Sequence, residues 1–294
     1  MRLFCPAKIN LYLKVIGKRP DGYHELRTIM VPLAFGDDLE IEPAPSGIHL
    51  EAPGCGCAEN ENLAWKAASL FLARTRVTGG VRIRIHKRVP VGSGLGGGSS
   101  DASGVLLAMN ELFRAGLDTR ALGEMARELG ADCPFFIHRR PLYLGGRGDV
   151  PISEPVLSDR HYLLVVPPVQ VSTRLVFSKL SLPLTSERDI DRIEPKNSQC
   201  IEPEHWVEND LESVACRLYP EMACIKDELI GSGALRAGMS GSGSAFFGIY
   251  ETHDALRCAM GRLVRHEGYV YVPTTRMTGD SYGDHRGQGV SGQG

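Results

Sequence analysis

Alternating apolar and polar residues mark several short segments of the chain as β-strands with one buried face. In the clearest of them, residues 81–86, Val81, Ile83 and Ile85 alternate with two arginines and a histidine. Related alternating or continuously apolar patterns predict further strands at residues 9–13, 38–42, 48–50, 161–166 and 245–250. The strand at 48–50 is expected to pair with the strand at 38–42.

Other segments repeat their apolar residues at the 3.6-residue period of an α-helix. This spacing predicts helices at residues 63–72, 102–113, 119–129, 208–218 and 221–230. Gly130 marks the expected end of the third helix, because glycine tolerates the backbone geometry that follows a helix. Strands and helices do not follow a regular β-α-β order, so the predicted fold class is α+β rather than a doubly wound sheet.

The chain has 294 residues, a length that suits one large domain or two packed lobes. Glycine, proline and polar residues cluster at residues 145–155, which predicts a boundary between a lobe at 1–155 and a lobe at 156–278. Residues 181–204 are rich in charge, proline and serine and predict a mobile connector. The polar, glycine-rich tail at 279–294 is expected to be disordered.

Composition excludes several classes of protein. Hydrophobic residues make up 43% of the chain and charged residues 23%, which are ordinary globular values. The formal net charge of −2 gives no electrostatic signal for a nucleic-acid or membrane partner. No apolar run approaches the roughly 18 residues of a membrane span, and the first residues lack the apolar core of a signal peptide. We therefore expect a cytoplasmic protein.

The eight cysteines are scattered along a long chain, so reduced and mostly buried thiols are expected rather than disulfides. Cys55 and Cys57 are the one close pair in the sequence. Neither a second pair nor a histidine cluster completes the four ligands of a structural zinc site, and no metal-ligating residue is predicted.

Five glycines lie within residues 92–98, between the strand at 81–86 and the next helix. Glycine allows φ > 0 and lets a ligand approach the backbone closely, and a helix N-terminus exposes unpaired N–H groups. Together these features predict a phosphate-binding loop. Ser99, Ser100 or Asp101 could cap the helix instead of contacting a ligand.

Three alternatives to this phosphate site need to be considered. The loop lacks the Gly-Lys-Ser/Thr of a Walker A sequence. Gly92, Gly94 and Gly97 fit the G-x-G-x-x-G of dinucleotide-binding folds, but the preceding strand is half exposed and no clear strand with an acidic end follows. A flexible loop without a ligand is the third alternative, and the order strand, loop, helix favours phosphate binding over it.

Residues 90–100, Pro-Val-Gly-Ser-Gly-Leu-Gly-Gly-Gly-Ser-Ser, resemble the second motif of the GHMP kinases, a superfamily that includes galactokinase, homoserine kinase and mevalonate kinase. Residues 6–11 and 129–136 resemble the N-terminal and catalytic-aspartate segments of one branch of this superfamily, and residues 239–244 resemble its third motif. Within residues 19–26, Asp-Gly-Tyr-His points to that branch, whose members phosphorylate a cytidine diphosphate-linked methylerythritol.

The resemblance implies two α+β lobes with the active site in the cleft between them. It implies transfer of the ATP γ-phosphate, assisted by Mg²⁺, to the 2-hydroxyl of 4-diphosphocytidyl-2-C-methyl-D-erythritol in non-mevalonate isoprenoid (terpenoid) biosynthesis. A monomer or weak homodimer is expected. Two other functions remain as alternatives: a GHMP kinase acting on another alcohol, and a GHMP-like sensor without catalysis. The presence of both Lys8 and Asp132 argues against the sensor.

The resemblance also implies roles for single residues. Asp132 would be the general base, although a helix cap or turn aspartate is the alternative. Lys8 would orient Asp132 and stabilise developing charge, the alternative being a surface lysine on an edge strand. Asn10 lies on the same strand face as Lys8 and could bond a substrate hydroxyl.

The remaining predicted site residues bind the two substrates. Tyr23 could stack on cytosine and His24 could bond its edge, because both follow a turn. Phe177 is either a second wall for the base or ordinary core. The floor near the phosphates or substrate is assigned to residues 240–244, with Gly241 and Ser242 as substrate-binding residues, unless that segment is only a tight turn. The ATP phosphates are assigned to Pro90, Val91, Gly92, Ser93, Gly94, Leu95, Gly96, Gly97, Gly98, Ser99 and Ser100, with Gly97 expected to have φ > 0.

Overall fold

Two units of sheet and helix make up the part of the chain that this computed structural model describes, residues 1–181 and 200–278. Most of the connector predicted at 181–204 and the tail predicted at 279–294 lie outside the described residues. The α helices are α1 Leu63–Arg74, α2 Gly97–Leu112, α3 Thr119–Leu129, α4 Cys133–His138, α5 Thr173–Ser178, α6 Glu212–Leu218, α7 Ile225–Gly231 and α8 His253–Arg262.

The strands are β1 Arg2–Lys18, β2 His24–Ala44, β3 Ile48–Glu51, β4 Gly80–His86, β5 Leu142–Gly145, β6 Val150–Ser153, β7 Val156–Leu157, β8 His161–Val166, β9 Cys200–Ile201, β10 Glu208–Asn209, β11 Arg236–Met239, β12 Phe246–Tyr250 and β13 Val270–Thr275. The first sheet has the order β10-β1-β2-β4-β3, and β5 pairs with both β2 and β6. The second sheet is antiparallel, in the order β11-β12-β8-β13. A short parallel pair joins β7 to β9.

Strand β3 does not pair with β2, so that expectation is wrong. Ile48 and Leu50 instead lie opposite Val81 and Ile83 in a parallel pairing with β4. The reason is that both edges of this part of β2 are occupied, one by β1 and the other by β4. The free edge of β4 is then the place where β3 can complete its hydrogen bonds.

Three large apolar clusters stabilise the two units, and a fourth, smaller one contains Met30, Phe135, Phe136, Leu142 and Leu144. One lies between the first sheet and helices α1, α2 and α3, and a second lies between the second sheet and α6, α7 and α8. The third contains residues from both sheets, among them Ile9, Leu11 and Val31 from the first and Leu164 and Phe247 from the second. Burial of this shared layer holds the two units together.

The segment predicted as a boundary, residues 145–155, is a hairpin of the first sheet rather than a linker. Strands β5 and β6 flank its turn, and the glycines serve that turn. Farther along the chain, β10 returns to pair with β1. The helix predicted at 208–218 therefore begins later, at Glu212. The division into lobes at 1–155 and 156–278 stays a prediction.

Among the residues that the structure describes, no helix has both the length and the apolar character that crossing a membrane requires.

Helix α2 packs closely on β1, which leads to a stability prediction. A Cβ added at Gly104 would lie 2.5 Å from the Sγ of the buried Cys5. Gly104→Ala should therefore lower the free energy of unfolding by about 1–3 kcal/mol, the usual cost of overpacking. At Gly123 on α3 an added Cβ meets no atom within 4 Å, so Gly123→Ala should raise stability by about 0.5–1 kcal/mol. Urea denaturation measures both, and equal stability of the two variants would contradict the packing described here.

Candidate active site

A cleft of about 1260 Å³ brings together residues that are far apart in the sequence. Its walls come from β1, the glycine loop, the segment before α4, helix α5 and the turn before β12. The predicted site residues that line it are Lys8, Asn10, Tyr23, His24, Pro90, Val91, Gly92, Ser93, Gly94, Gly96, Gly97, Gly98, Ser99, Asp132, Phe177, Gly241 and Ser242. Leu95 and Ser100 were also predicted to contact phosphate, but both side chains are buried.

The glycine loop turns through three residues with positive φ, namely Gly92 at 72°, Gly94 at 78° and Gly96 at 73°. Gly97 is not among them, because it is the first residue of α2 and has helical geometry, so the expectation of φ > 0 there is wrong. Gly96 occupies the N-cap position, and no side chain caps the helix. The amides at the start of this 16-residue helix are thus available to an anion.

The hydroxyl of Ser240, in the segment that the sequence analysis assigns to the floor of the site, fixes the glycine loop. Ser240 Oγ donates to the Gly94 carbonyl at 3.0 Å and accepts the N–H of Asn10 at 3.3 Å. The N–H of Ala245 donates to the Ser93 carbonyl at 2.8 Å. The turn before β12 therefore supports the glycine loop. An added Cβ at Gly94 would lie 2.4 Å from the Ser240 carbonyl, so this contact requires glycine.

Lys8 is a buried residue of a central strand, not a surface lysine on an edge, so that alternative is wrong. Its Nζ donates to Asn10 Oδ1 at 2.6 Å and to the Gly94 carbonyl at 2.9 Å. The same Nζ lies 3.4 Å from Asp132 Oδ2. Two of the three N–H donors of this ammonium thus make hydrogen bonds, and Asp132 is its ion-pair partner.

Asn10 has its amide engaged at both ends. Its Oδ1 accepts from Lys8, and its Nδ2 donates to Thr28 Oγ1 at 2.8 Å. Thr28 Oγ1 in turn donates to the Tyr12 carbonyl at 2.6 Å. Asn10 thus orients Lys8, and its contact with a substrate hydroxyl stays a prediction. Thr28 was missed because the sequence analysis predicted no strand at its position, which the structure places within β2.

Asp132 immediately precedes α4, but its side chain makes no capping hydrogen bond, so the alternative role as a cap is wrong. Its carboxylate is one-third exposed and faces Lys8. Ser103 Oγ on α2 donates to the Cys133 carbonyl at 2.7 Å and fixes this segment. Burial raises the pKa of the Cys133 thiol to about 12, so this neighbour stays protonated and is not a competing base. A carboxylate beside a lysine ammonium can take a proton and stabilise the resulting charge.

The aromatic side chains that line the cleft contact other residues of the chain, and their contacts with a base stay a prediction. The His24 ring stacks on Phe177, with ring centroids 5.0 Å apart and planes inclined by 25°. Tyr23 is 56% exposed, and the guanidinium carbon of Arg147 lies 4.8 Å from its ring centroid. Burial, with the charge of Lys18, lowers the pKa of His24, so the imidazole is neutral at pH 7. Phe177 lines the cleft and also packs against the apolar cluster of the second sheet. Its environment therefore fits both the prediction that it is a wall of the site and the alternative that it belongs to the core.

A buried charge cluster lies behind the glycine loop. Lys87 Nζ is 2.5 Å from Asp37 Oδ2 and 2.7 Å from Asp101 Oδ2. The second oxygen of Asp101 has no hydrogen-bond partner among the described residues. Burial raises the pKa of Asp101 to about 7, with Lys87 opposing and Asp37 reinforcing the shift. The sequence analysis considered Asp101 only as a possible cap.

This cluster gives the protein a pH-dependent stability. Between about pH 4 and about pH 7, folded Asp101 keeps a proton that the unfolded chain has lost, so stability falls as the pH rises through this window. One such group contributes a slope of at most about 1.4 kcal/mol per pH unit. Asp101→Asn should flatten the slope, as measured by denaturation at several pH values. The exposed Asp159→Asn is the control, and an unchanged slope in Asp101→Asn would refute this account.

Family models and solved structures agree with this architecture. The model for the GHMP kinase N-terminal domain matches residues 62–140, and the model for the C-terminal domain matches residues 184–265. A homoserine kinase from Cytophaga hutchinsonii has a TM-score of 0.73 at 15% identity, covering 94% of each chain, and so shares the fold. The fold and site define an ATP-dependent kinase of small molecules, and the predicted α+β fold is confirmed.

Closer relatives narrow the family. A protein from Syntrophus aciditrophicus named 4-diphosphocytidyl-2-C-methyl-D-erythritol kinase is 40% identical to this chain, over 86% of this chain and 91% of that protein. A protein of the same name from Thermus thermophilus is 41% identical, over 88% of this chain and 91% of that protein. A crystal structure of 4-(cytidine 5'-diphospho)-2C-methyl-D-erythritol kinase has a TM-score of 0.75 at 37% identity, covering 95% of this chain and all of that one. The chain therefore belongs to the GHMP kinase family, in the branch to which these kinases belong.

Proposed function

We propose that this chain transfers the γ-phosphate of ATP to the 2-hydroxyl of 4-diphosphocytidyl-2-C-methyl-D-erythritol, a step of non-mevalonate isoprenoid precursor biosynthesis. The observation that carries the proposal is that one cleft contains the Lys8–Asp132 pair, the glycine loop and the Tyr23–His24 segment. Relatives that are 40% identical over most of the chain support it. Kinases of other alcohols match at only 14% or 15% sequence identity, which supports a shared fold and nothing more specific.

In the proposed reaction, the phosphates of ATP lie on the glycine loop and the N-terminus of α2. The adenosine is assigned to the part of the cleft that Asn62, Leu63 and Lys87 line, since Tyr23 and His24 are assigned to the cytidyl group. Asp132 takes the proton of the attacking hydroxyl, and Lys8 keeps the carboxylate aligned and stabilises the negative charge that develops.

We propose that Mg²⁺ accompanies ATP and is held mainly by phosphate oxygens and water. Ser99 lines the cleft at the first turn of α2, and its hydroxyl oxygen is a metal ligand of the type that this hard cation prefers. When bound, the ion neutralises charge on the β- and γ-phosphates. The chain's own contributions to phosphoryl transfer are the loop amides, Lys8 and Asp132.

Replacement of the proposed base tests the catalytic assignment. Asp132→Asn preserves shape but removes the acceptor for the hydroxyl proton, so kcat should fall by about 10²-fold or more while KM for ATP stays near the wild-type value. Coupled measurement of ADP release gives both constants. Asp159→Asn, which removes an exposed carboxylate elsewhere, should behave as wild type. Turnover of Asp132→Asn within about threefold of wild type would exclude Asp132 as the base.

Substrate choice tests the whole proposal. Phosphorus NMR should show a new phosphate monoester when wild type acts on the cytidyl substrate, and little product from methylerythritol phosphate without the cytidyl group.

Removal of a stacking ring costs about 1–3 kcal/mol per base, so Tyr23→Ala should raise KM for the cytidyl substrate about five- to hundredfold. KM for ATP should not change, and Tyr23→Phe, which keeps the ring, should resemble wild type. An equal penalty on both acceptors would show that Tyr23 does not stack on the base.

A further inference from the structure

The turn between β5 and β6 reaches the end of the cleft where Tyr23 lies. The Gly146 carbonyl accepts the N–H of Leu26 at 2.7 Å, and the N–H of Gly146 donates to Glu25 Oε1 at 3.0 Å. Gly146 and Gly148 have φ of 66° and 89°, which allows the tight turn that presents Arg147 between them. The turn and the segment that contains Tyr23 are therefore one hydrogen-bonded unit.

Arg147 lines the cleft and covers one face of the Tyr23 ring. A guanidinium over an aromatic face is attracted by the ring's quadrupole, and this contact orders both side chains. The ring is still more than half exposed, so its other face is open to a ligand. The guanidinium also places a positive charge where the diphosphate of a nucleotide-linked substrate would enter.

Asp149 holds Arg147 from behind. This carboxylate is 5% exposed, and its Oδ1 accepts the N–H of Arg147 at 2.9 Å. Its Oδ2 faces Arg147 Nη2 at 3.5 Å and Arg127 Nε on α3 at 3.2 Å. Arg127 Nη2 also donates to the Asp149 carbonyl at 3.2 Å. Asp149 thereby connects the rigid helix α3 to both the backbone and the guanidinium of Arg147.

We infer that Asp149 is a positioning residue for substrate selectivity: it fixes Arg147 against Tyr23 and so favours an acceptor that carries a pyrimidine nucleotide. Asp149 touches no substrate and acts through Arg147. This inference rests on the proposed function, since it assumes that the nucleotide end of the acceptor lies at Tyr23. A loss of positioning weakens the binding of the nucleotide end and leaves the Lys8–Asp132 pair intact.

Steady-state kinetics on two acceptors, with and without the cytidyl group, test the inference. Asp149→Asn and Arg147→Met should each lower the preference for the cytidyl acceptor about tenfold, the scale of a lost cation–π and charge contact. KM for ATP and turnover of the acceptor without the cytidyl group should stay within about twofold of wild type. Arg120→Met, which removes an exposed arginine of α3 that pairs with Glu124 rather than with Asp149, is the control and should keep the preference within about twofold.

The double variant separates positioning from general support. If Asp149 acts through Arg147, adding Asp149→Asn to Arg147→Met should produce no further loss. Additive losses, an equal penalty on both acceptors, or an unchanged preference in Arg147→Met would each overturn the inference. If Asp149→Asn fails to fold, Asp149→Glu replaces it, because the extra methylene group displaces the carboxylate. An unchanged preference for the cytidyl acceptor in that variant would also overturn the inference. If the wild-type protein did not phosphorylate the cytidyl acceptor, that result would refute the proposed function instead.

Discussion

The buried ammonium of Lys8 is the constraint on which the active site depends. A buried charge is tolerated only with partners close by, and removing one of them is costly. Here the partners are Asn10 on the same strand, the Gly94 carbonyl in the glycine loop and Asp132 before α4. Satisfying one cation therefore brings three separate segments to a common point, and the catalytic geometry is formed by the same contacts that complete the fold.

The layer between the two sheets determines how the loops meet. Strand β1 contributes Lys8 to the cleft and its apolar neighbours Ile9 and Leu11 to the shared core. Strand β12 contributes to the same core, and the turn that precedes it carries Ser240, whose hydroxyl bonds both β1 and the glycine loop. Sliding one sheet over the other would break these bonds, so packing at the centre fixes the distance from the glycine loop to Asp132.

The sequence predicted those elements whose structure depends mainly on the residues within the element itself. Periodicity predicted α3 to its last residue, glycine density predicted a functional loop before α2, and the turn before Tyr23 placed that residue in the site. Both segments line the cleft, and phosphate binding by the loop stays a prediction. Pairings between distant segments left no comparable signal. The partner of β3 depended on which sheet edges were already occupied.

The residues that were missed have the same explanation. Thr28 matters because of what lies across from it in the fold, and it does not stand out by type or spacing. Arg147 lies between two glycines that serve a hairpin turn but were read as a boundary. The Asp101–Lys87 pair depends on burial, which a helix pattern does not reveal at a polar position.

The first two turns of α2 show why this helix begins with small side chains. Residues 97–104 are all glycine, serine, alanine or aspartate, and Val105 is the first larger apolar residue. Over this stretch the helix exposes its N-terminus to the cleft, pairs Asp101 with Lys87, bonds the segment of Asp132 through Ser103 and meets β1 at Gly104. Bulky side chains would push these neighbours apart. The low helix propensity of glycine and serine is a cost of about 0.5–1 kcal/mol per residue, which the close contacts on every side of the helix offset.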